Sequence, residues 1–83
     1  ITTKYPIMLI LNTKNNCSYC DKVKKAFLEK SVVYEERNIE NLDYLKEVQE
    51  YGARTMPFLV DLSANVKMGE SDDIIDYVSE YAF

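Results

Sequence analysis

Residues 7–23 read IMLILNTKNNCSYCDKV, and this stretch decides the fold. It begins in an apolar segment, residues 5–11, that is rich in strand-forming side chains. A polar segment of turn-favouring residues follows at 12–16. From Ser18 to about Lys30, apolar residues recur at helical spacing, which predicts an amphipathic helix after a buried strand and a loop. The expected apolar face of this helix comprises Cys20, Val23, Phe27 and Leu28.

The middle of the chain predicts a second strand and a second helix. Residues 32–39 mix β-branched and aromatic residues with alternating charges, a pattern typical of a strand covered on one side. Asn41 is a suitable N-cap, and Gly52 is a good helix stop, so we expect a helix that ends near Tyr51. Its expected apolar face comprises Leu42, Leu45 and Val48.

The last third of the chain predicts a hairpin and a closing helix. Residues 58–62 and 66–68 have the composition of two strands joined by a tight turn. Ser71 can cap a helix whose first turn carries Asp72 and Asp73, where the helix dipole favours acidic side chains. The order βαβαββα favours one parallel strand pair plus an antiparallel hairpin. We therefore predict an α/β fold with a four-stranded mixed sheet flanked by three helices.

Length and composition restrict the functional classes. The 83 residues, 47% of them hydrophobic, suit one domain over residues 1–83. A net charge of −4 disfavours nucleic acid as a partner, although residues 1–34 hold six lysines against two acidic residues, a balance of +4. The longest apolar run, residues 7–11, is far shorter than the roughly 20 residues of a membrane-spanning helix. We expect no nucleic acid and no membrane as partner, and a cytoplasmic location by default.

Cys17 and Cys20 form a C-x-x-C pair at the junction of the predicted loop and helix. Free N–H groups and the helix dipole stabilise a thiolate there, so we expect the pKa of Cys17 to lie below that of an ordinary thiol. Lys14, Lys22 and Lys24 can add positive potential. Cys20, one turn inside the helix on its apolar side, is expected to be the resolving thiol that attacks a mixed disulfide.

Other interpretations of the cysteine pair are weaker. A structural zinc ion needs four ligands, and the chain has no further cysteine and no histidine, so we expect no metal site except one shared between chains. A structural disulfide over so short a loop removes little entropy from the unfolded chain. Two inert helix cysteines remain compatible with the spacing alone.

A second motif, Thr55-Met56-Pro57, stands just before the third predicted strand. Proline pushes the preceding residue into an extended conformation. A cis bond would turn the backbone N–H and C=O of Met56 outward, where they could pair with an extended peptide-like ligand. The motif by itself leaves the isomer open.

Taken together, these motifs give a chain that resembles the glutaredoxins over nearly its whole length. The motifs in the family's order are Lys14-Asn15-Asn16-Cys17-Ser18-Tyr19-Cys20, Val23-Lys24, Thr55-Met56-Pro57, Met68-Gly69 and Ser71-Asp72-Asp73. The resemblance implies a thioredoxin-like fold with a cis Pro57, an exposed nucleophile at Cys17, and a groove beside it for glutathione. Glutathione would serve as a reductant that is not tightly bound.

The resemblance also implies roles for the residues of that groove. Lys14 would hold the glycine carboxylate of glutathione, and Met56 would pair through its backbone with the cysteinyl unit. Ser71 and Asp72 would take the γ-glutamyl end at the start of the last helix, and Tyr19 would flank the sulfur. The implied glutathione-binding set is Lys14, Tyr19, Thr55, Met56, Pro57, Gly69, Ser71 and Asp72.

Two positions depart from the family pattern. Ser18 stands where many glutaredoxins have proline, which gives the loop a donor and more freedom. Glu70 stands where a second glycine is usual before the last helix, and it puts a negative charge beside an anionic ligand. The serine leaves the redox potential open, and from the glutamate we expect a weaker affinity for glutathione or a different partner preference.

The function implied by the resemblance is that of a monomeric thiol-disulfide oxidoreductase. It would reduce protein disulfides and glutathione mixed disulfides through the two cysteines, and so serve electron transport and cell redox homeostasis. Two alternatives stay open. One is a dimer that binds an iron-sulfur cluster through the first cysteine and glutathione thiols. The other is a dedicated disulfide carrier for an enzyme such as ribonucleotide reductase, supplied by thioredoxin reductase.

Overall fold

Residues 9–80, the part of the chain that the computed structural model describes, form four strands and three helices in the predicted order. The elements are β1 (Leu9–Thr13), α1 (Ser18–Glu29), β2 (Glu35–Asn38), α2 (Leu42–Glu50), β3 (Phe58–Asp61), β4 (Val66–Met68) and α3 (Ser71–Glu80). The start of the first predicted strand, residues 5–8, lies outside the described part.

The sheet is mixed, as predicted, and its strand order is β2-β1-β3-β4. β1 runs parallel to β2, with Ile10 opposite Glu35, and antiparallel to β3, with Leu11 opposite Leu59. β3 and β4 form the antiparallel hairpin. The two central strands, β1 and β3, are buried along their whole length because helices cover both faces of the sheet.

The helices divide between the two faces because successive strand residues point to opposite sides. Leu9 and Leu11 face α1 and α3. Ile10 faces the side of α2. The first core cluster is Leu9, Leu11, Val23, Phe27, Leu59, Ile74 and Val78. The second is Ile10, Cys17, Cys20, Val48, Met56, Phe58 and Val60, so both cysteines belong to the α2-side cluster.

β1 is longer at its carboxyl end than the sequence predicts. Asn12 and Thr13, expected in the loop, are fully buried strand residues. The Asn12 amide donates a hydrogen bond to the Phe58 carbonyl at 3.2 Å, and the Thr13 hydroxyl donates to the Glu36 carboxylate at 2.7 Å. Partners distant in sequence therefore bind the Asn12 amide N–H and the Thr13 hydroxyl, and the loop shrinks to residues 14–16.

Other strand and helix boundaries also differ from prediction. β2 starts at Glu35, three residues later than expected, and β3 ends at Asp61, so residue 62 belongs to the turn. α3 begins at Ser71 itself, which makes Ser71 the first helical residue and not the cap. The Glu70 carbonyl accepts the first helical hydrogen bond, from the Ile74 N–H at 2.9 Å.

The helices otherwise follow their predicted patterns. Asn41 caps α2 by accepting from the Asp43 N–H at 2.9 Å. Two residues expected on apolar faces, Leu28 and Leu42, are instead exposed by 79% and 75%. Within residues 9–80 no helix has both the length and the apolar character to cross a membrane.

Candidate functional site: a groove that begins at Cys17

Cys17 lies at the N-terminus of α1, where the sequence predicts it. It is the N-cap residue, its backbone is extended, and its sulfur accepts from the Cys20 N–H at 3.1 Å. Cys17 and Cys20 are joined as a disulfide, with their Cα atoms 5.2 Å apart. One N–H group of the first turn of α1, that of Cys20, is therefore directed at the sulfur of Cys17.

The expectation that Cys17 is exposed is wrong for this disulfide form. Cys17 is only 6% exposed, and Cys20 is completely buried. The rank order is as predicted, because Cys20 lies on the inner face of α1. Cys17 is buried because it packs in the α2-side cluster against Met56 and Phe58. A partner therefore has to approach its sulfur from the groove described below.

The Met56-Pro57 peptide bond is cis, as the family resemblance implies. The Met56 carbonyl oxygen lies 3.8 Å from the Cys17 sulfur, so this backbone segment faces the disulfide. Met56 and Pro57 are both buried, which anchors the segment beside the sulfur. An extended ligand bound along Met56 would thus have its own sulfur close to Cys17.

A groove of about 710 Å³ extends from Cys17 to the start of α3. All eight residues of the implied glutathione-binding set line it, together with Cys17. They come from four separate segments of the chain: the loop after β1, the start of α1, the segment before β3, and the junction of β4 with α3. Cys20 does not line the groove, because it points into the core.

Four further residues line the groove outside that set. Ser18 and Glu70, the two departures from the family pattern, are among them, and so are Asn16 and Asp73. Asn16 adopts a left-handed backbone conformation with φ of 55°, and asparagine is enriched in this region among residues other than glycine. An asparagine directly before the first cysteine was thus a usable signal of a tight turn.

The groove has two chemically different walls. Cys17, Met56 and Pro57, here called the sulfur wall, are buried. Glu70, Asp72 and Asp73, here called the carboxylate wall, are exposed at the N-terminus of α3. Lys14 is an exposed cation that also lines the groove, and no ion pair within residues 9–80 involves it.

Two lysines expected to strengthen the field at Cys17 are engaged elsewhere. The Lys22 ammonium pairs with the Asp72 carboxylate at 2.7 Å, and this hydrogen bond raises the pKa of Lys22 above its usual value. The Lys24 ammonium lies 3.3 Å from the Glu36 carboxylate and 3.8 Å from that of Asp21. Because carboxylates offset both charges, the expectation of added positive potential from these two lysines needs correction.

The chain was compared with a set of protein families, with curated sequences and with solved structures. Residues 11–82 match the family described as glutathione S-transferase, N-terminal domain. A comparison with curated protein sequences found no match. The glutaredoxin-like protein NrdH-redoxin from Escherichia coli has a similar structure, with a TM-score of 0.73 at 18% identity over 84% of this chain and 92% of that one. A glutathione S-transferase from the Antarctic clam Laternula elliptica gives 0.68 at 22% identity over 89% of this chain and 35% of that one.

The structural likenesses, at such low identity, show a shared fold. The fold is thioredoxin-like, and it carries a Cys-x-x-Cys pair at the start of α1 that forms a disulfide. The match to the family covers nearly the whole chain. The chain therefore belongs to the glutathione S-transferase N-terminal domain family, and its fold is thioredoxin-like.

Proposed function

We propose that the protein is a glutathione-dependent thiol-disulfide oxidoreductase of the glutaredoxin type. Its substrates are protein disulfides and mixed disulfides of glutathione. One observation carries the proposal: a single groove begins at the sulfur of Cys17 and is lined by all eight residues of the implied glutathione-binding set. The family's own description, which names glutathione, supports the same ligand.

The proposed reaction starts from the reduced pair. The Cys17 thiolate attacks one sulfur of the substrate disulfide, forms a new S–S bond, and releases the other sulfur as a thiolate that takes up a proton. When the mixed disulfide joins Cys17 to glutathione, a second glutathione thiolate attacks the glutathione sulfur, forms glutathione disulfide and releases the Cys17 thiolate. Alternatively, the Cys20 thiolate attacks the Cys17 sulfur and releases the remaining substrate sulfur as a thiolate. When Cys20 attacks, the Cys17–Cys20 disulfide forms, and two glutathione molecules later reduce it to two thiols while they become glutathione disulfide.

The surroundings of Cys17 support its role as the attacking group. The N-cap position places the positive end of the helix dipole and the Cys20 N–H at its sulfur, and both favour a thiolate. The complete burial of Cys20 supports the resolving role, since its thiol is reached from within the molecule. The protein thus holds two thiols of different accessibility one helical turn apart.

The remaining residues support binding and orientation of the tripeptide. The Met56 backbone beside the sulfur can align an extended cysteinyl unit. Lys14 offers a cation for one carboxylate of glutathione, and the start of α3 offers N–H groups for the other. Asp72 offers an acceptor for the ammonium group of the γ-glutamyl unit.

The test is a turnover assay coupled to glutathione reductase, with a mixed disulfide of cysteine and glutathione as substrate. We expect consumption of NADPH that depends on both the protein and glutathione. Cys17→Ser is the control and should give the background rate. Absence of turnover with glutathione in the intact protein would contradict the proposal.

A second candidate is a disulfide carrier that receives electrons from thioredoxin reductase. Two observations favour it: Lys22 already occupies the Asp72 carboxylate, and Glu70 adds a negative charge where a ligand carboxylate would lie. NrdH-redoxin, which shares the fold, is described as having a thioredoxin-like activity profile. Turnover with thioredoxin reductase, combined with none when glutathione and glutathione reductase replace it, would support this candidate.

A further inference from the structure

The ion pair between Lys22 and Asp72 lies at the edge of the groove. It joins α1 to the first turn of α3 across 50 positions of sequence, with a distance of 2.7 Å between the Lys22 Nζ and the Asp72 Oδ1. Of the two residues, only Asp72 lines the groove. Both side chains are well exposed, at 51% and 79%, so the pair contributes little to stability.

The pair changes what the carboxylate wall offers to a ligand. An incoming ammonium group must either displace the Lys22 ammonium from Asp72 or share the carboxylate with it at short distance. Both arrangements disfavour a second cation, the first through the lost ion pair and the second through repulsion. A ligand carboxylate meets no such penalty from Lys22.

We propose that Lys22 is a specificity-determining residue that, by holding Asp72, makes the α3 end of the groove discriminate against a ligand ammonium group. The preferred occupant is then a thiol or peptide segment that lacks an ammonium group at this position. The inference rests on the proposed function, which places the γ-glutamyl end of glutathione there.

The experiment compares two thiols that differ only in this ammonium group. Glutaryl-cysteinyl-glycine has the carboxylates and thiol of glutathione but lacks its amine. A Cys20→Ser form of the full chain is equilibrated with both thiols and their disulfides, so that Cys17 carries one or the other as a mixed disulfide. Each exchange breaks one S–S bond and forms one, and intact-protein mass spectrometry gives the ratio of the two adducts.

Removing Lys22 should shift this ratio towards glutathione. In the Cys20→Ser background, Lys22→Gln should favour the glutathione adduct by about two- to fivefold at low salt, as expected for one exposed ion pair. The shift should shrink at high ionic strength. Lys25→Gln is the matched control, because Lys25 is an exposed lysine of α1 that makes no ion pair within residues 9–80.

Asp72→Asn separates this effect from a general change of charge. If Lys22 acts through Asp72, the double variant Lys22→Gln/Asp72→Asn should give the same ratio of the two adducts as Asp72→Asn alone. The inference is overturned by an unchanged ratio in Lys22→Gln, by an equal shift in Lys25→Gln, or by a full shift in the Asp72→Asn background. The exchange equilibrium requires no turnover, so it tests Lys22 even if the glutathione reductase assay rejects the proposed function.

Discussion

The sulfur wall and the carboxylate wall of the groove differ in burial and therefore in what a substitution can do to them. The sulfur wall packs against the core, and Cys17 and Met56 are 6% and 8% exposed. In the carboxylate wall, the Asp72 side chain is 79% exposed. Buried groups have fixed positions, whereas exposed charges are screened by water and salt. We therefore expect substitutions in the sulfur wall to affect the covalent step and substitutions in the carboxylate wall to change ligand selectivity.

The largest expected effect lies at the sulfur wall. Cys17→Ser should abolish turnover of every disulfide substrate, because Cys17 provides the thiol that lines the groove and Cys20 is completely buried. Cys20→Ser should retain turnover of glutathione mixed disulfides, which need one thiol, and lose turnover of protein disulfides that need both. Rates for the two variants on both substrate types measure this. The reverse pattern, with Cys17→Ser active, would reverse the assigned roles.

The next effect concerns the core cluster on the opposite face of the sheet, where α1 and α3 pack. Phe27 is completely buried and meets the Tyr34 ring edge-on at a centroid distance of 4.8 Å. Phe27→Ala should lower the free energy of unfolding by about 3–5 kcal/mol. Leu28→Ala, at the exposed neighbouring position, should change it by no more than about 0.5 kcal/mol. Urea unfolding of both variants checks the contrast, and equal losses would mean that α1 packs differently.

A buried carboxylate provides a comparison for the exposed ones. Burial alone would raise the pKa of Asp61, but hydrogen bonds from Tyr77, Ser63 and Ala64 outweigh it and hold the pKa below its usual 3.8. The stability from this ionised group is therefore complete above the unfolded-state pKa. It is lost as the pH falls through the folded-state pKa.

Asp61→Asn should accordingly lower the free energy of unfolding by about 1–3 kcal/mol at neutral pH. The difference from the wild type should shrink as the solution is acidified. Thermal unfolding of both proteins between neutral and strongly acidic pH measures it. Asp76→Asn is the exposed counterpart, beyond the first turn of α3, and should change the free energy of unfolding by no more than about 0.5 kcal/mol at neutral pH. A loss for Asp61→Asn that stays constant with pH would mean that the Asp61 charge contributes nothing.

The smallest expected effect lies at the carboxylate wall. Glu70 should repel the carboxylate of the γ-glutamyl unit, so Glu70→Gly should lower the Michaelis constant for glutathione. An exposed charge of this kind is worth about 0.2–1 kcal/mol, which corresponds to a change of a few-fold at most. Michaelis constants at low and high ionic strength test this, with Glu70→Gln as a control that keeps a side chain. Equal constants at low salt would show that the Glu70 charge does not reach the ligand.

Much of the fold could be predicted because its signals are local. Helical spacing from Cys20 to Phe27 and the capping residue Asn41 depend on neighbours a few positions away, and both predictions are confirmed. The secondary-structure predictions fail where contacts with residues distant in sequence determine the conformation. Asn12 and Thr13 have loop-forming side chains, yet they complete β1 because Phe58 and Glu36 supply their hydrogen bonds. Their strand assignment depends on contacts that local composition does not contain.

Some residues of the candidate site could likewise be predicted from local motifs, and others could not. The C-x-x-C motif and Thr55-Met56-Pro57 were recognisable as motifs, and the structure brings them together with the cis bond that the family resemblance implies. Asn16 and Asp73 were not predicted as groove residues, because the resemblance assigns ligand roles to other members of their motifs and not to these two. Asn16 lines the groove because it directly precedes Cys17, and Asp73 lines it because it lies in the first turn of α3.

Periodicity and capping signals within single segments predict the order of strands and helices and the position of Cys17 at a helix start, so both could be derived from the sequence alone. The burial of Cys17 in its disulfide form and the ion pair between Lys22 and Asp72 depend instead on tertiary packing. Those features arise where α1 meets α3 and the segment before β3. Burial and ion pairing depend on the distances between segments of the chain. Those distances are set when the whole chain folds, so they cannot be predicted from any single segment.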